Sequence, residues 1–592
     1  MSESKLLKSG EFLVNEVEAN DIFIPEEFNE EQRMIAQTCR DFLEAEVYPK
    51  LDDLDKSDRE LMKSLLKKTG ELGLLGIAVP EEYGGFGQSF ITQMLVAETT
   101  GAGYSFSVAY MAHCGIGTMP ILYYGNEEQR QKYVTRLATG ELLGAYCLTE
   151  PGAGSDANSG KTNAKLSEDG KHYILNGQKM WITNAGFADT QVVFAKIEND
   201  RVLSAFIVES KWPGVVIGPD EHKMGIKGSS TAQIYYNDVK VPVENLLGNR
   251  GEGFRIALSI LHMGRMKLGA NVIGAAKETI TQSVRYANER KQFNTQIANF
   301  GSIKHKLAEQ VIRTFAHESA IYRVSQNIDE LITRYKAEGC DYGKAAIDAI
   351  SHYAVEDAIL KVNGSEMLDF VVDEGVQIHG GMGYSAEMNV ERGYRDSRIN
   401  RIFEGTNEIN RLLVVDTAIK RSLKGDFNLM GPAEELYTNL DGIKVEMGAA
   451  GYFEQKKQLI RNFKKIALLG IFGANKTFAK QFVSEQEVQN NLSNIIMDIY
   501  VAESLALRVE KLESRGHASM DIYRSILDVF IFDAASRIRK NAIDAILSFA
   551  AEPELGKLIA ATERLSAVNP INVKEARRKI ADKLIADNVY KF

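Results

Sequence analysis

One carboxylate stands in surroundings that suit acid–base chemistry. Glu404 lies between the bulky apolar pair Ile402-Phe403 and Gly405. Apolar surroundings raise the pKa of a carboxyl group, which suits a general base, and a neighbouring glycine lets a substrate approach closely. The alternative is an ordinary surface acid at the start of a helix capped by Thr406, which is the more common situation for such a motif alone.

A glycine-rich segment is a second candidate. The run Gly152-Ala153-Gly154-Ser155-Asp156-Ala157 fits the GxGxxA dinucleotide pattern. However, Glu150-Pro151 precedes it and Asn158-Ser159-Gly160 follows, so the strand and the helix that a Rossmann fingerprint requires are not predicted. The glycines can still bring backbone N–H groups close to a ligand.

Two further segments could contact a charged or flat ligand. Arg290-Lys291-Gln292-Phe293 offers a guanidinium and an ammonium to a pyrophosphate, or else forms a solvated charge pair. Gln377-Ile378-His379-Gly380-Gly381 ends a helical pattern in glycines that can lie against a flat ligand. His379 alone is more often structural than catalytic.

Helices are predicted on both sides of these segments. The sequence has no proline between Pro242 and Pro432, or between Pro432 and Pro553, which permits long helices. Apolar residues recur at helical spacing in 253–337, 344–376, 492–513 and 521–550. Residues 29–145 are also predicted to be mostly helical.

The stretch from about 146 to 245 has the alternation of β-strands instead. Asp169-Gly170 and Asn176-Gly177 predict hairpin turns within it. We therefore expect a mainly α protein with a central, barrel-like antiparallel β domain. The expected domains are an N-terminal helical domain, a middle β domain, a helical bundle and an additional helical domain, at 1–145, 146–250, 251–425 and 426–592.

Composition excludes several classes of protein. The 592 residues include 70 Lys+Arg and 80 Asp+Glu, for a net charge of −10, which argues against a nucleic-acid binder. The four cysteines are scattered without metal-ligand spacing, so we expect no metal site and a reducing compartment. The N-terminus lacks the apolar core of a signal peptide, and we expect a cytoplasmic protein.

A basic stretch at 455–484 contains no acidic residue, and apolar residues are interleaved with its charges. One interpretation is an amphipathic helix that contacts an anionic membrane peripherally, at the inner membrane face. The alternative is a helix packed on the body of the protein with its lysines facing acidic groups.

Taken together, the motifs resemble the acyl-CoA dehydrogenases, a flavoprotein family. The resemblance covers about residues 30–420. It is carried by Tyr146–Asp156 (YCLTEPGAGSD), Asn176–Asn184 (NGQKMWITN), Gly264-Arg265, Arg290–Phe293 (RKQF), Gln377–Gly381 (QIHGG) and Ile402–Asn407 (IFEGTN). The added C-terminal helices are similar to those of the very-long-chain type, here as a bacterial-type relative without a transit peptide.

The resemblance implies a reaction and a set of roles. FAD would accept a hydride while Glu404 abstracts the α proton of a long-chain fatty acyl-CoA, giving a trans-2-enoyl-CoA. Gly264 stands where some members carry their base, so Glu404 is the base here. Substrate contacts are implied for Ser155, Met263, Gly264, Arg265 and Gly405. Cofactor contacts are implied for Tyr146, Leu148, Thr149, Ser155, Trp181, Thr183, Arg290, Gln292, Gln377, Gly380, Gly381, Thr406, Asn407 and Glu408.

The implied partners are an electron-transfer flavoprotein and a second copy of the chain, as a homodimer or homotetramer, since Arg290, Gln292 and the 377–381 loop would reach a neighbouring subunit's FAD. Two alternatives stay open. An acyl-CoA oxidase of the same fold would pass the electrons to O₂. A docking or assembly protein would keep only residual activity, although the intact base and flavin motifs argue against it.

Overall fold

The computed structural model of the protein describes residues 6–592. The first unit is helical. Asn29 caps its first long helix by accepting a hydrogen bond from the Gln32 backbone N–H at 2.8 Å, and the Gln32 side chain accepts from the Asn29 N–H. Its helices are α1 (Glu30–Phe42), α2 (Leu51–Leu54), α3 (Arg59–Glu71), α4 (Phe90–Gly101), α5 (Ser105–Met111), α6 (Met119–Tyr124), α7 (Glu127–Gln129) and α8 (Thr135–Ala138).

The second unit is an eight-stranded sheet in the order β6-β7-β3-β2-β4-β5-β8, with β1 paired to β4. The pairs β1–β4 and β2–β4 are parallel, so the sheet is mixed rather than wholly antiparallel. The boundary predicted after residue 145 falls inside the first strand. The strands are β1 (Gly144–Cys147), β2 (Asn163–Leu166), β3 (His172–Thr183), β4 (Thr190–Ile197), β5 (Ser204–Glu209), β6 (Val215–Asp220), β7 (Thr231–Pro242) and β8 (Leu246–Leu247).

One predicted turn is wrong. Asp169-Gly170 does turn between β2 and β3, but Asn176-Gly177 lies inside β3. The pairing of β3 with β7 shifts register between Leu175 and Gly177, where Gly177 has a φ of 152°. A Cβ at Gly177 would lie 2.5 Å from Thr162 Oγ1. Glycine is therefore needed here for a bulge and a close approach, not for a hairpin.

A helical bundle follows, with a two-stranded hairpin after its first helix. The proline-free stretch does form long helices, as predicted. Its elements are α9 (Gly253–Glu289), β9 (Lys291–Gln292), β10 (Thr295–Gln296), α10 (Gly301–Ala337), α11 (Tyr342–His352), α12 (Ala354–His379), α13 (Gly381–Tyr384), α14 (Asn389–Ser397) and α15 (Asn407–Leu423).

The additional C-terminal unit packs against the bundle, with α18 and α21 on α10 and with α18 on α15. Buried ion pairs join the two units: Arg508 contacts Glu318 at 2.7 Å, and Arg323 contacts Glu503 at 2.8 Å. The helices are α16 (Met430–Thr438), α17 (Tyr452–Phe478), α18 (Gln486–Ser514), α19 (Met520–Phe549), α20 (Glu554–Leu565) and α21 (Val573–Asp587).

The basic stretch forms α17 and the turn after it, and its apolar residues are core residues. Ile460, Phe463, Ile466, Leu469 and Ile471 are each at most 2% exposed. Six of its seven basic side chains make ion pairs within the chain: Lys456, Lys457, Arg461, Lys464, Lys465 and Lys476. These contacts favour the packed-helix interpretation over membrane contact. Among residues 6–592, no helix has the length and apolarity needed to span a bilayer.

Candidate active site

Glu404 lies on the loop between α14 and α15, with its side chain directed at α9. It has a φ of 57°, and Gly405 after it has a φ of 82°. A Cβ placed on Gly264 of α9 would be 2.4 Å from Glu404 Oε2. Thr406 does cap α15, since its Oγ1 accepts from the Ile409 N–H at 3.3 Å. The helix-start alternative is thus correct about the cap, but the acid near the cap is partly buried, with its Oε2 covered by the protein.

Glu404 is partly buried, and two nearby cations act on its carboxyl group without an ion pair to it. Its Oε2 has no hydrogen-bond partner among the described residues. Burial raises the pKa of Glu404 to about 7, and the positive charges of Arg265 and Lys361 oppose part of that rise. A carboxyl group with this pKa is a stronger base than a solvated one and is still substantially ionised near neutral pH.

Arg265 comes to Glu404 from the helix that also carries Gly264. It is 4% exposed, and its Nε donates to the Glu404 backbone oxygen at 3.3 Å. One turn earlier, His262 Nδ1 lies 3.4 Å from Arg265 Nη1 and 3.4 Å from Asp357 Oδ2. Burial, followed by the charge of Arg265, lowers the pKa of His262 to about 3, which does not suit a base near neutral pH.

Lys361 and Asp357 belong to the site but were not predicted from the sequence. Both lie on α12 and have no exposed surface. Lys361 Nζ donates to Asn407 Oδ1 at 2.7 Å, and burial lowers the pKa of Lys361 to about 7. A sequence signal did exist for Lys361, because it interrupts the apolar run Ala358-Ile359-Leu360 and Val362. Charged residues are rarely buried unless they are paired or functional.

Of the predicted residues in the β domain, Tyr146 is affected by the charge of Glu404. Tyr146 of β1 has a buried hydroxyl without a hydrogen-bond partner among the described residues. Burial first, and then the Glu404 charge, hold the pKa of Tyr146 well above its usual value, so the two groups are near one another. Leu148 is buried, Thr149 and Thr183 are partly exposed, and Trp181 is 53% exposed with a φ of 60°.

A second group of predicted residues lies far from Glu404. Arg290 follows the last residue of α9, 26 residues after Gly264, which is about 39 Å along a helix. The rings of Tyr286 and His379 stack at 4.3 Å and bring the ends of α9 and α12 together. The residues of this group are exposed: Arg290, Gln292, Gln377, Gly380 and Gly381. His379 itself is 3% exposed, as expected of a structural histidine.

The remaining predicted residues divide by exposure. Ser155 and Glu408 are exposed, and Gly405 is partly exposed. Met263 is fully buried with its sulfur 3.9 Å from the Tyr123 hydroxyl, so it offers no surface to a substrate. The Asn407 side chain is 3% exposed and bonds to Lys361, Ser365 and Glu366, so its polar atoms are already used inside the protein.

Models of protein families match most of the chain. The acyl-CoA dehydrogenase N-terminal, middle and C-terminal domains match residues 29–141, 145–239 and 251–419. A further model, also described as an acyl-CoA dehydrogenase C-terminal domain, matches residues 462–564, within the additional helical unit.

Individual relatives match over nearly the whole chain. A probable acyl-CoA dehydrogenase of Bacillus subtilis (strain 168) is 44% identical over 575 residues, which is 97% of each chain. The mitochondrial very long-chain specific acyl-CoA dehydrogenase of Rattus norvegicus is 34% identical over 91% of this chain and 84% of its own.

A solved structure shows that the similarity extends to the fold. The crystal structure of an acyl-CoA dehydrogenase complexed with FAD from Bacillus anthracis superposes with a TM-score of 0.97 at 43% identity, covering 99% of this chain and 100% of that one. The family models, the sequence relatives and the solved fold agree with one another and with the motifs around Glu404. The chain therefore belongs to the acyl-CoA dehydrogenase family.

Proposed function

We propose that this protein oxidises long-chain fatty acyl-CoA thioesters to trans-2-enoyl-CoA products, with FAD as its cofactor and Glu404 as its base. The observation that carries the proposal is the Glu404 carboxyl group, whose Oε2 is buried against the bare Cα of Gly264 and whose pKa is raised to about 7. A docking protein with residual activity would have no need for such a costly buried acid.

The residues around the site fit a flat, phosphate-bearing cofactor. Trp181 presents a half-exposed indole, which a flat ring can cover. A Cβ at Gly152, Gly154, Gly380 or Gly381 would meet no atom within 4 Å, so a ligand has room beside each backbone. We propose that Tyr146, Leu148, Thr149, Ser155, Trp181, Thr183, Thr406 and Glu408 contact the FAD of their own subunit.

The chain's own residues move the proton. The Glu404 carboxylate takes the α proton of the thioester, and the backbone N–H of Glu404 is proposed to hold the thioester oxygen, where negative charge develops. Arg265 and Lys361 keep part of the Glu404 population ionised, and burial keeps that carboxylate basic. The hydride that leaves the β carbon would need an acceptor, and this is the chemistry that bound FAD would supply. Ser155, Gly264, Arg265 and Gly405 are the proposed acyl-CoA contacts.

A cavity further along α9 lies in the direction that an acyl chain could take. Asn271 and Ala275 line it on α9, and Ser107 and Val108 line it on α5. At 3.6 residues per turn, positions 271 and 275 share a face with position 264, and Asn271 lies about 10 Å further along the helix. An acyl chain whose α carbon is at Glu404 can therefore extend along this face towards the cavity.

We further propose that the enzyme works as a homodimer or homotetramer and passes its electrons to an electron-transfer flavoprotein. The exposure of Arg290, Gln292, Gln377, Gly380 and Gly381, at a distance from Glu404, suits contact with the cofactor of a neighbouring subunit. The acceptor is tested by comparing reduction of an electron-transfer flavoprotein with peroxide formation in air. Peroxide at the rate of turnover would identify an oxidase instead.

Glu404→Gln tests the reaction. The purified protein should be yellow, and long-chain acyl-CoA should bleach the flavin absorbance without air. The variant should keep its FAD and bind acyl-CoA but bleach at least about 10²-fold more slowly, since general bases contribute about 10²–10⁴-fold. Asp416→Asn should bleach at the wild-type rate, because it alters a carboxylate of α15, the helix after the Glu404 loop, that pairs with Lys420 at 2.7 Å. A Glu404→Gln variant with a tenth of that rate would exclude Glu404 as the base.

A further inference from the structure

The helix that starts beside the base is held at its other face by the additional C-terminal unit. Arg411 of α15 donates through Nε to Asn494 Oδ1 of α18 at 2.9 Å. Asn494 in turn donates to Asn541 Oδ1 of α19 at 3.0 Å, which fixes the orientation of its amide. The carbonyl oxygen of Asn494 is therefore aimed at the guanidinium of Arg411.

The same guanidinium binds a carboxylate of the bundle. Arg411 Nη1 lies 2.8 Å from Glu366 Oε1, and Nη2 donates to Glu366 Oε2 at 2.8 Å. This paired geometry is the directional form of an arginine–carboxylate contact. Glu366 Oε1 also accepts from Asn407 Nδ2 at 3.1 Å. Arg411 thus connects α18 to the first residue of α15.

Asn407 completes the connection to the base. Its Oδ1 accepts from Lys361 Nζ at 2.7 Å, which holds the buried ammonium at the start of α15. Lys361 and Glu404 act on each other through their charges: Lys361 lowers the pKa of Glu404, and Glu404 raises that of Lys361 against the larger effect of burial. A hydrogen bond to the charged form of a lysine favours that form.

We propose that Asn494, in the additional C-terminal unit, is a positioning residue for the catalytic base. Asn494 holds the guanidinium of Arg411, and Arg411 orders Glu366 and Asn407. Asn407 in turn holds the Lys361 ammonium, whose charge acts on Glu404. The inference rests on the proposed function of Glu404 and assigns the additional unit a part in the chemistry. That unit supplies one end of a continuous chain of hydrogen bonds that ends at Lys361, and the charge of Lys361 acts on Glu404.

The direction of the effect follows from the charges around the two groups. Lys361 is affected by Glu404, Arg265, Glu408 and Glu366. Glu404 is affected by Arg265 and Lys361, and it acts in turn on Tyr146. Without the Asn494 oxygen, Asn407 holds the ammonium less firmly, and the neutral form of Lys361 becomes more populated. Less positive charge beside Glu404 then raises the pKa of Glu404.

Asn494→Leu tests the proposal, because leucine has a similar volume and no acceptor. In the pH profile of the flavin-bleaching rate, we expect the acidic limb of this variant to shift to higher pH by about 0.5–1 unit. At a given pH on that limb, the rate should then be about three- to tenfold lower than in wild type. Asn494→Asp keeps an acceptor for Arg411 and should restore the wild-type profile. Glu513→Gln, which breaks the Arg524–Glu513 pair elsewhere in the same unit, should leave the profile unchanged.

A second measurement does not depend on turnover. The Glu404 carboxyl band, identified as the infrared difference between wild type and Glu404→Gln, is titrated without acyl-CoA, and its midpoint should rise in Asn494→Leu. If Asn494→Leu does not fold, Arg411→Gln replaces it, because this variant breaks the same chain of contacts from α15 and should also raise the Glu404 midpoint. An unchanged midpoint, or an equal rise in Asn494→Leu and Asn494→Asp, would overturn the inference. Failure of the proposed function would appear separately, as rapid bleaching by Glu404→Gln.

Discussion

The Glu404 carboxylate rests on the Cα of Gly264, the residue of α9 that faces it. A Cβ on Gly264 would lie 2.4 Å from Oε2 and 2.8 Å from the carboxyl carbon of Glu404. Both distances are too short for non-bonded atoms, so any side chain at position 264 would displace the carboxylate. The position of the Glu404 carboxylate therefore requires glycine at 264. The two residues are distant in the sequence, since Arg265, which follows Gly264, is 139 residues from Glu404.

Gly264→Ala should displace the base without removing it. We expect flavin bleaching to slow by about 10²-fold, the typical cost of misplacing a catalytic group by about 1 Å. Stopped-flow absorbance measures the rate. Gly301→Ala is a matched control on α10, where the nearest atom to an added Cβ is the end of Arg578 at 3.7 Å. A Gly264→Ala enzyme with more than half the wild-type rate would contradict the steric argument.

The reaction should follow the ionisation of Glu404. Because the carboxylate form is the base and burial raises its pKa to about 7, kcat/KM should fall as the pH drops through that value and level off above it. The profile is measured with a long-chain acyl-CoA from about pH 5 to about pH 9. An acid limb near pH 4.5, the ordinary value for glutamate, would mean that the group is solvated in the working enzyme.

Asp357→Asn should stabilise the protein at high pH. Asp357 is fully buried, neither carboxyl oxygen has a hydrogen-bond partner among the described residues, and burial holds its pKa well above 3.8. The folded state therefore binds a proton that the unfolded state releases above about pH 4, and this contribution to stability is lost as the pH rises through the folded pKa.

Asparagine removes that dependence. We expect the free energy of unfolding of Asp357→Asn to exceed that of wild type by about 1–3 kcal/mol at pH 8, with little difference near pH 4. Urea titrations at the two pH values, each with FAD in equal excess, measure the difference. Asp416→Asn serves again as the control, on a partly exposed carboxylate. Destabilisation at both pH values would show that the negative charge of Asp357 is needed in the folded protein.

The helix α17 should not attach the protein to membranes. Its apolar side is buried and six of its basic side chains are paired within the chain, so little of either is available to lipid. At physiological ionic strength, we expect the amount of protein in the pellet to be the same with anionic vesicles as without vesicles. Reversing the exposed charges in Lys476→Glu/Lys480→Glu should change nothing. Vesicle binding that this double variant abolishes would support the membrane interpretation.

The sequence alone determined the order of the elements and indicated Glu404 as the candidate base. Helical spacing, proline placement and strand alternation are local properties, so they predicted a helical unit, a β domain and long helices in the order that the structure has. The motif around Glu404 is also local, and its resemblance to a known family indicated the acid. Asp169-Gly170 was correctly predicted as a turn for the same reason.

Only the tertiary structure decided which side chains meet and which are covered. Asn176-Gly177 has the composition of a turn, yet it lies inside β3, where the register against β7 shifts and Thr162, just before β2, comes close to Gly177. The basic stretch has the pattern of a surface helix, yet acids distant in the chain pair its lysines. Lys361 and Asp357 join the site because α12 packs on α9. Packing between distant segments sets burial, burial sets the pKa of Glu404, and no local pattern encodes that contact.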